Sequence, residues 1–226
     1  MAALFPSTSA AAQAVAAIVA AGGVPSMLEI MDRTTLRAVN QWRDFGLPDE
    51  AAAMLIAQSD AGGETAAAEI ASIAEACRAA GAEDVVEAAD DAEGELLLAA
   101  RRSALLALEL LGTTMIDDVC VPRSRLGDLL DAIEKIAAES SLTIGVVGHA
   151  GDGNMHPTVV FDNTDPSQAE RARFAFDDIM RVGLELGGTI TGEHGIGVLK
   201  KEWLARELGP VGLTLHRDIK RALDPK

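Results

Sequence analysis

The chemistry open to this sequence lies in two glycine-bracketed loops. His149 and His156 stand seven residues apart in Gly148-His149-Ala150-Gly151-Asp152-Gly153-Asn154-Met155-His156-Pro157, and Glu193 and His194 are neighbours in Thr191-Gly192-Glu193-His194-Gly195-Ile196-Gly197. Two imidazole nitrogens and one carboxylate oxygen, from His149, His156 and Glu193, make a donor set for a divalent metal that leaves positions open for substrate and water. Zinc is the first choice. A lone histidine is more often a hydrogen-bonded structural residue, so this reading rests on the grouping. Neighbours on a regular strand point to opposite faces, but Gly192 and Gly195 admit unusual backbone angles that let Glu193 and His194 turn into one pocket. With the glutamate on the metal, His194 remains as a general base, since imidazoles ordinarily titrate near neutral pH. Asp152 and Asn154 read as turn formers beside the site. His216, alone in a terminal amphipathic segment, reads as surface.

Arg101-Arg102 interrupt an otherwise apolar helical run, Leu96 to Leu111, and form a candidate clamp for a carboxylate, which guanidinium binds in a two-pronged fork. Arg123 and Arg125 more simply begin a helix at a strand end, and Lys200-Lys201 reads as a solubilising pair.

The elements that must position these residues follow from periodicity and punctuation. Strands over Leu142–Gly148 and Met155–Phe161 flank the glycine turn as a hairpin, which brings both imidazoles to one end of a sheet. Around it, strand Met115–Val121, helix Arg123–Glu139, the hairpin, helix Pro166–Leu186 and a strand near Thr189 give the order βαββαβ of a ferredoxin-like unit. The first hundred residues give α, β, α, β, α, β, which reads as a degenerate copy. Its helices run from Ser7 or Ser9 to about Ala21, from Asp32 or Thr34 to Gly46, over Glu64–Ala80 and over Asp90–Leu111. Two short helices, Leu199–Leu208 and Val211–Leu223, close the chain. The expected fold is therefore α+β, an antiparallel sheet with helices packed on one face, built from duplicated ferredoxin-like units in one domain spanning 1–226.

Composition narrows the partners. The chain has 226 residues, with 35 Asp and Glu against 19 Lys and Arg for a net charge of -16, which disfavours nucleic acid and anionic membranes. With no tyrosine, two tryptophans and five phenylalanines, there is no stacking platform for single-stranded nucleic acid. Cys77 and Cys120 fall within a helix and a strand, so a disulfide framework is not expected and a reducing, cytoplasmic setting is. The Ala-rich run from Ala10 to Ala21 lacks the charged flank of a signal peptide and is too short to cross a bilayer. No Gly-x-Gly-x-x-Gly follows a strand, so the glycines of the hairpin are not a dinucleotide cradle.

Gly148 to His156, Gly192 to Gly197, Asp118-Val119-Cys120-Val121-Pro122 and the terminal Lys220-Arg221-Ala222-Leu223-Asp224-Pro225 together resemble the C-terminal cap domain of the FAD-linked oxidases of the vanillyl-alcohol-oxidase superfamily. This is the group that holds the glycolate oxidases, D-lactate dehydrogenase and D-2-hydroxyglutarate dehydrogenase. The resemblance runs from about Ala3 to the last residue. It implies a duplicated ferredoxin-like cap laid over a flavin, with a small 2-hydroxy acid held between the cap and an FAD-binding domain that precedes it. Carried over by position, His149, His156 and Glu193 become metal ligands, His194 the base, Arg101 the carboxylate clamp, and Asn154 a contact to the cofactor. Leu98 stands where a tryptophan often occurs, and Ile116 where some members place a lysine, so the identity of the acid stays open, as does the electron acceptor. The resemblance does not include the FAD domain, so the chain alone is expected to have no turnover. The surface that meets that domain is expected to be an exposed apolar patch, which the isolated cap could close by forming a homodimer. The full-length enzyme could also associate peripherally with a membrane. Two other readings use the same residues: a metal-dependent hydrolase, and a ferredoxin-like binding module without chemistry.

Overall fold

The computed structural model describes residues 1–226, with every side chain but that of Asp91. Eight strands build one antiparallel sheet, and its arrangement repeats itself. In the first half β1 (Ala2–Phe5), α1 (Thr8–Ala20), β2 (Met27–Asp32), α2 (Arg33–Trp42), β3 (Ala53–Gln58), α3 (Gly63–Ala79) and β4 (Asp84–Val86) place their strands in the order β4-β1-β3-β2. That is a ferredoxin-like unit with α2 inserted between its middle strands. The linking helix α4 (Asp91–Glu109) leads into β5 (Thr113–Ile116), β6 (Val119–Cys120), α5 (Leu126–Ser140), β7 (Thr143–His149), β8 (Asn154–Phe161) and α6 (Pro166–Glu185). Here β7 pairs with β8, β8 with β6, and Cys120 of β6 bridges to Thr189, so the same strand order recurs. The units join edge to edge through β2 and β7, with Glu29 opposite His149 and Met31 opposite Val147.

Local chemistry sets the element ends. Ser7, Asp32, Asp90 and Asp165 each cap a helix by accepting a backbone N–H of its first turn, which satisfies donors that have no partner within the helix. The strand expected over Met115–Val121 is present but interrupted. Thr113–Ile116 and Val119–Cys120 pair with β8 in one continuous register, and the ladder lapses opposite Pro157, which has no N–H to donate. The strand Ala2–Phe5 was not expected, because its short Ala-Ala-Leu-Phe run has neither β-branched residues nor alternation.

The helices of the two units lie on one face, as the sequence suggests. There Phe5, Ile18, Leu28, Ile30, Leu55, Leu129, Ile133, Val159 and Ile179 form the larger core, each large side chain contributing about 1.5–3 kcal/mol on burial. The inserted and linking helices, α2 and α4, take the other face, packing Leu36, Val39, Ala104 and Leu108 against Met31, Met54, Ile56, Val147 and Val160. At the end of α7 (Leu204–Leu223), Val211, Leu215, Ile219 and Leu223 line up four residues apart and face outward. Non-helical backbone at Gly209 (φ 65°, ψ -177°), followed by Pro210, divides this segment into two helices, with the break where the sequence places it, before Val211. Among the described residues no helix is long and apolar enough to cross a membrane.

Candidate functional site

On the face shared with α2 and α4, one row of paired residues crosses the sheet: Glu29 on β2, His149 on β7, Asn154 on β8, Cys120 on β6 and Thr189. Since strand side chains alternate, His156, two positions from Asn154, lies on that face too. The hairpin works as expected, its Gly153 N–H donating to the His149 carbonyl at 3.0 Å. The imidazoles of His149 and His156 meet edge to face with centroids 5.3 Å apart, and His194 stacks on His156 at 5.0 Å.

Glu193 closes the cluster. Its Oε1 lies 3.3 Å from Nε2 of His149, 3.1 Å from Nε2 of His156 and 3.4 Å from Nε2 of His194. Donor atoms of His149, His156 and Glu193 all fall within 4.8 Å of one another, a spacing that could hold a metal ion. Asp118, His156 and His194 form a second such group sharing His156. His194 is the most open member, its side chain 57% exposed.

Two residues that sequence reasoning missed hold this arrangement. Asp118 sits in the gap between β5 and β6 and accepts the backbone N–H groups of Glu193 at 3.1 Å and His194 at 2.9 Å, and the Thr191 hydroxyl at 2.9 Å. Burial alone would raise its carboxyl, but these donors, chiefly the His194 and Glu193 N–H groups, hold it down at about 2. Glu29 is 5% exposed; its Oε1 lies 2.5 Å from Nδ1 of His149, and its Oε2 accepts from Nε of Arg101 at 2.7 Å. A signal for each was visible: Glu29 is the lone charge in the apolar run Leu28–Met31, and Asp117-Asp118 breaks an otherwise apolar strand.

Environment also separates the histidines. Burial would lower His149, yet the hydrogen bond and charge of Glu29, with Glu193, raise it above the usual histidine value. Burial lowers His156, with the charge of Asp118 working against it, so that ring favours the neutral form whose lone pair can bind a cation. Its Nδ1 is buried without a hydrogen-bond partner, 3.7 Å from Asp118.

Arg101 reaches the site from α4, whereas Arg102 points to the surface and pairs with Glu95 at 2.6 Å. Asn154 is buried beneath Gly192, and its Oδ1 has no partner. A Cβ on Gly192 would come within 2.2 Å of that oxygen, so Gly192 serves close approach, while Gly195 supplies the positive φ of 77°. Lys200 corrects the expectation of a solubilising lysine. Its buried Nζ contacts Asp117 Oδ1 at 2.8 Å and donates to the carbonyls of Asp118 at 3.0 Å and Ile190 at 2.6 Å, tying the loop of Glu193 to the strand of Asp118. His216 is on the surface, as expected.

Comparison with known proteins agrees with this architecture. Residues 1–226 match the family described as FAD linked oxidases, C-terminal domain. The chain is 40% identical over 225 residues to glycolate oxidase subunit GlcD of Bacillus subtilis (strain 168), covering 99% of this chain and 48% of that protein. It is 32% identical over 226 residues to the mitochondrial D-lactate dehydrogenase [cytochrome] of Arabidopsis thaliana, covering 98% of this chain and 39% of that protein. The chain thus spans less than half the length of these relatives. Among solved structures it resembles substrate-bound p-cresol methylhydroxylase in fold, with a TM-score of 0.68 at 16% identity over 99% of this chain and 50% of that one.

Proposed function

Since the chain belongs to the family of FAD-linked oxidases, as their C-terminal domain, we propose that it is the substrate-binding cap of a flavin-dependent oxidoreductase that oxidises a small 2-hydroxy acid of the glycolate or D-lactate type. The observation that carries this reading is the convergence of three histidine Nε2 atoms on one oxygen of Glu193, with Arg101 anchored beside them through Glu29. The donor set suits a divalent metal, zinc by its nitrogen and oxygen ligands. The anchoring of His149 by a buried carboxylate is the outer support that ligating histidines commonly have.

When bound, a divalent metal offers Lewis acidity to the substrate hydroxyl, and FAD offers the hydride acceptor. The chain's own residues do the rest. Arg101 takes the substrate carboxylate on its terminal nitrogens, since its Nε is already given to Glu29. Nε2 of His194 receives the hydroxyl proton as the adjacent C–H leaves as hydride, which converts the 2-hydroxy acid to a 2-oxo acid. Asp118 holds the His194 backbone so that this ring faces the substrate. Such positioning can supply several kcal/mol of the barrier, of the ~7–11 kcal/mol reached by well-oriented groups. Asn154, whose Oδ1 has no protein partner, is the candidate contact to the cofactor. The FAD domain belongs to the rest of a longer polypeptide, in keeping with the share of its relatives that this chain spans, and the apolar stripe of α7 is the surface offered to it.

The test uses the full-length protein reconstituted with FAD, an artificial electron acceptor and a panel of 2-hydroxy acids, with and without a chelator. Glycolate or D-lactate should be oxidised, chelation should suppress turnover, and added zinc should restore it. Full activity after simultaneous alanine substitution of His149, His156 and Glu193 would leave a binding module without metal chemistry.

A further inference from the structure

Glu29 belongs to the first ferredoxin-like unit, yet both of its carboxylate oxygens are spent on groups of the site. One is 2.5 Å from Nδ1 of His149 and the other 2.7 Å from Nε of Arg101. The side chain is 7% exposed and reaches His149 directly across the β2–β7 seam, so solvent competes little for either bond. An ionised carboxylate can only accept, and a neutral imidazole carries its proton on one nitrogen. A carboxylate at Nδ1 therefore keeps the proton there and leaves the lone pair on Nε2, the nitrogen that faces Glu193 and His156.

We infer that Glu29 is a positioning residue: it selects the histidine tautomer that presents Nε2 of His149 to the cation, and with its second oxygen it fixes the Arg101 guanidinium at a set place beside that cation. The inference rests on the metal and substrate reading given above. It assigns a role to a residue that touches neither metal nor substrate.

Glu29→Gln isolates the tautomer. A glutamine offers one acceptor and one donor to two donors. Arg101 cannot release its Nε proton, whereas His149 can move its proton to the other nitrogen. The amide oxygen of the variant therefore goes to Arg101, its NH2 faces Nδ1, and the His149 proton shifts to Nε2, where it blocks coordination. In the FAD-loaded full-length protein, zinc affinity measured by competition with a chromophoric chelator should fall about 10–100-fold, the range seen when an outer partner of a ligand is lost. At saturating zinc, KM for the hydroxy acid should change by less than about 3-fold, because Arg101 keeps its anchor.

Wild-type protein that binds no zinc would remove the metal reading itself. Wild-type binding matched by equal binding in a variant with normal FAD content would overturn the role of Glu29 alone. If the variant loses FAD or fails to fold, 15N-histidine NMR of zinc-loaded wild-type protein decides: His149 should carry its proton on Nδ1 and the metal on Nε2. The reverse assignment would overturn the inference.

Discussion

Oδ2 of Asp118 lies 2.9 Å from the backbone nitrogen of His194, so a carboxylate from the gap in one strand decides where the last loop of the site runs. Asp118→Ala removes the oxygen, Oδ2, that accepts from the Glu193 and His194 N–H groups and from the Thr191 hydroxyl, and leaves all three donors unmet. Leaving a buried donor unmet costs about 1–3 kcal/mol. The variant should melt earlier and lose kcat/KM by at least about 10-fold, a loss of roughly 1.4 kcal/mol in the barrier. Thermal unfolding and steady-state kinetics on the full-length protein check both. An unchanged kcat/KM would mean that the loop holds itself.

Single alanine substitutions of His149, His156 and Glu193 should each weaken zinc binding by more than the roughly 10–100-fold typical of outer partners. Turnover should fall in parallel and recover in part with excess metal. Isothermal titration with zinc measures the first effect, and activity against added metal the second. A substitution that lowers turnover without touching metal affinity would assign that residue to another role.

Arg101 is paired with one buried carboxylate and is proposed to bind a second from the substrate. Arg101→Lys keeps the charge but loses the fork, and truncating a partner in such a charge pair costs about 2–5 kcal/mol. The expected result is a rise in KM for the hydroxy acid of about 30-fold or more, with zinc affinity nearly unchanged. If zinc affinity falls as far as KM rises, Arg101 would be supporting the metal end instead.

The buried Lys200 contacts Asp117, whose side chain is fully buried. Breaking a buried pair by removing one partner costs about 3–5 kcal/mol, so Lys200→Met should lower Tm by roughly 6–20 °C for a domain of this size. Burial raises the Asp117 carboxyl against the pull of Lys200, and the Lys200→Met, Asp117→Asn double variant, which strands no charge, should regain part of the loss. Calorimetry of the single and double variants gives the comparison; a double variant no more stable than the single one would point to packing.

Asp32 carries a pH dependence of its own. It caps α2 through Thr35 and also accepts the Val146 N–H at 3.0 Å. Burial raises its carboxyl to about 6, with the Val146 and Thr35 donors working the other way. A carboxyl raised on folding contributes stability that is present below the unfolded value of ~4 and lost as pH rises through the folded value. Asp32→Asn can accept both hydrogen bonds without the buried charge. It should be more stable than wild type near pH 7.5, by on the order of 1–2 kcal/mol, and flatten the stability profile between about pH 4 and 6. Denaturant unfolding across that window reads the slope, and a profile identical to wild type would exclude the effect.

Much of this molecule was legible because its signals are local. The seven-residue spacing of His149 and His156 around a glycine turn fixes a hairpin, and the hairpin puts both rings on one face. Caps such as Ser7 and Asp32 mark helix starts for a reason that needs no neighbour. What escaped was tertiary. Periodicity says that α2 and α4 have an apolar side but not which face of the sheet receives it. The partnership of Glu29 with His149 spans 120 residues and exists only because β2 pairs with β7. Lys200 looked like surface charge, since nothing beside it announces that it would be buried against Asp117.

The β2–β7 seam has one more consequence. Side chains alternate along a strand, so slipping this pairing by a single residue would send Glu29 to the opposite side and leave His149 unsupported. A molecule whose two halves dock out of step would lose the proposed support of His149, and weakened zinc binding would report the faulty assembly.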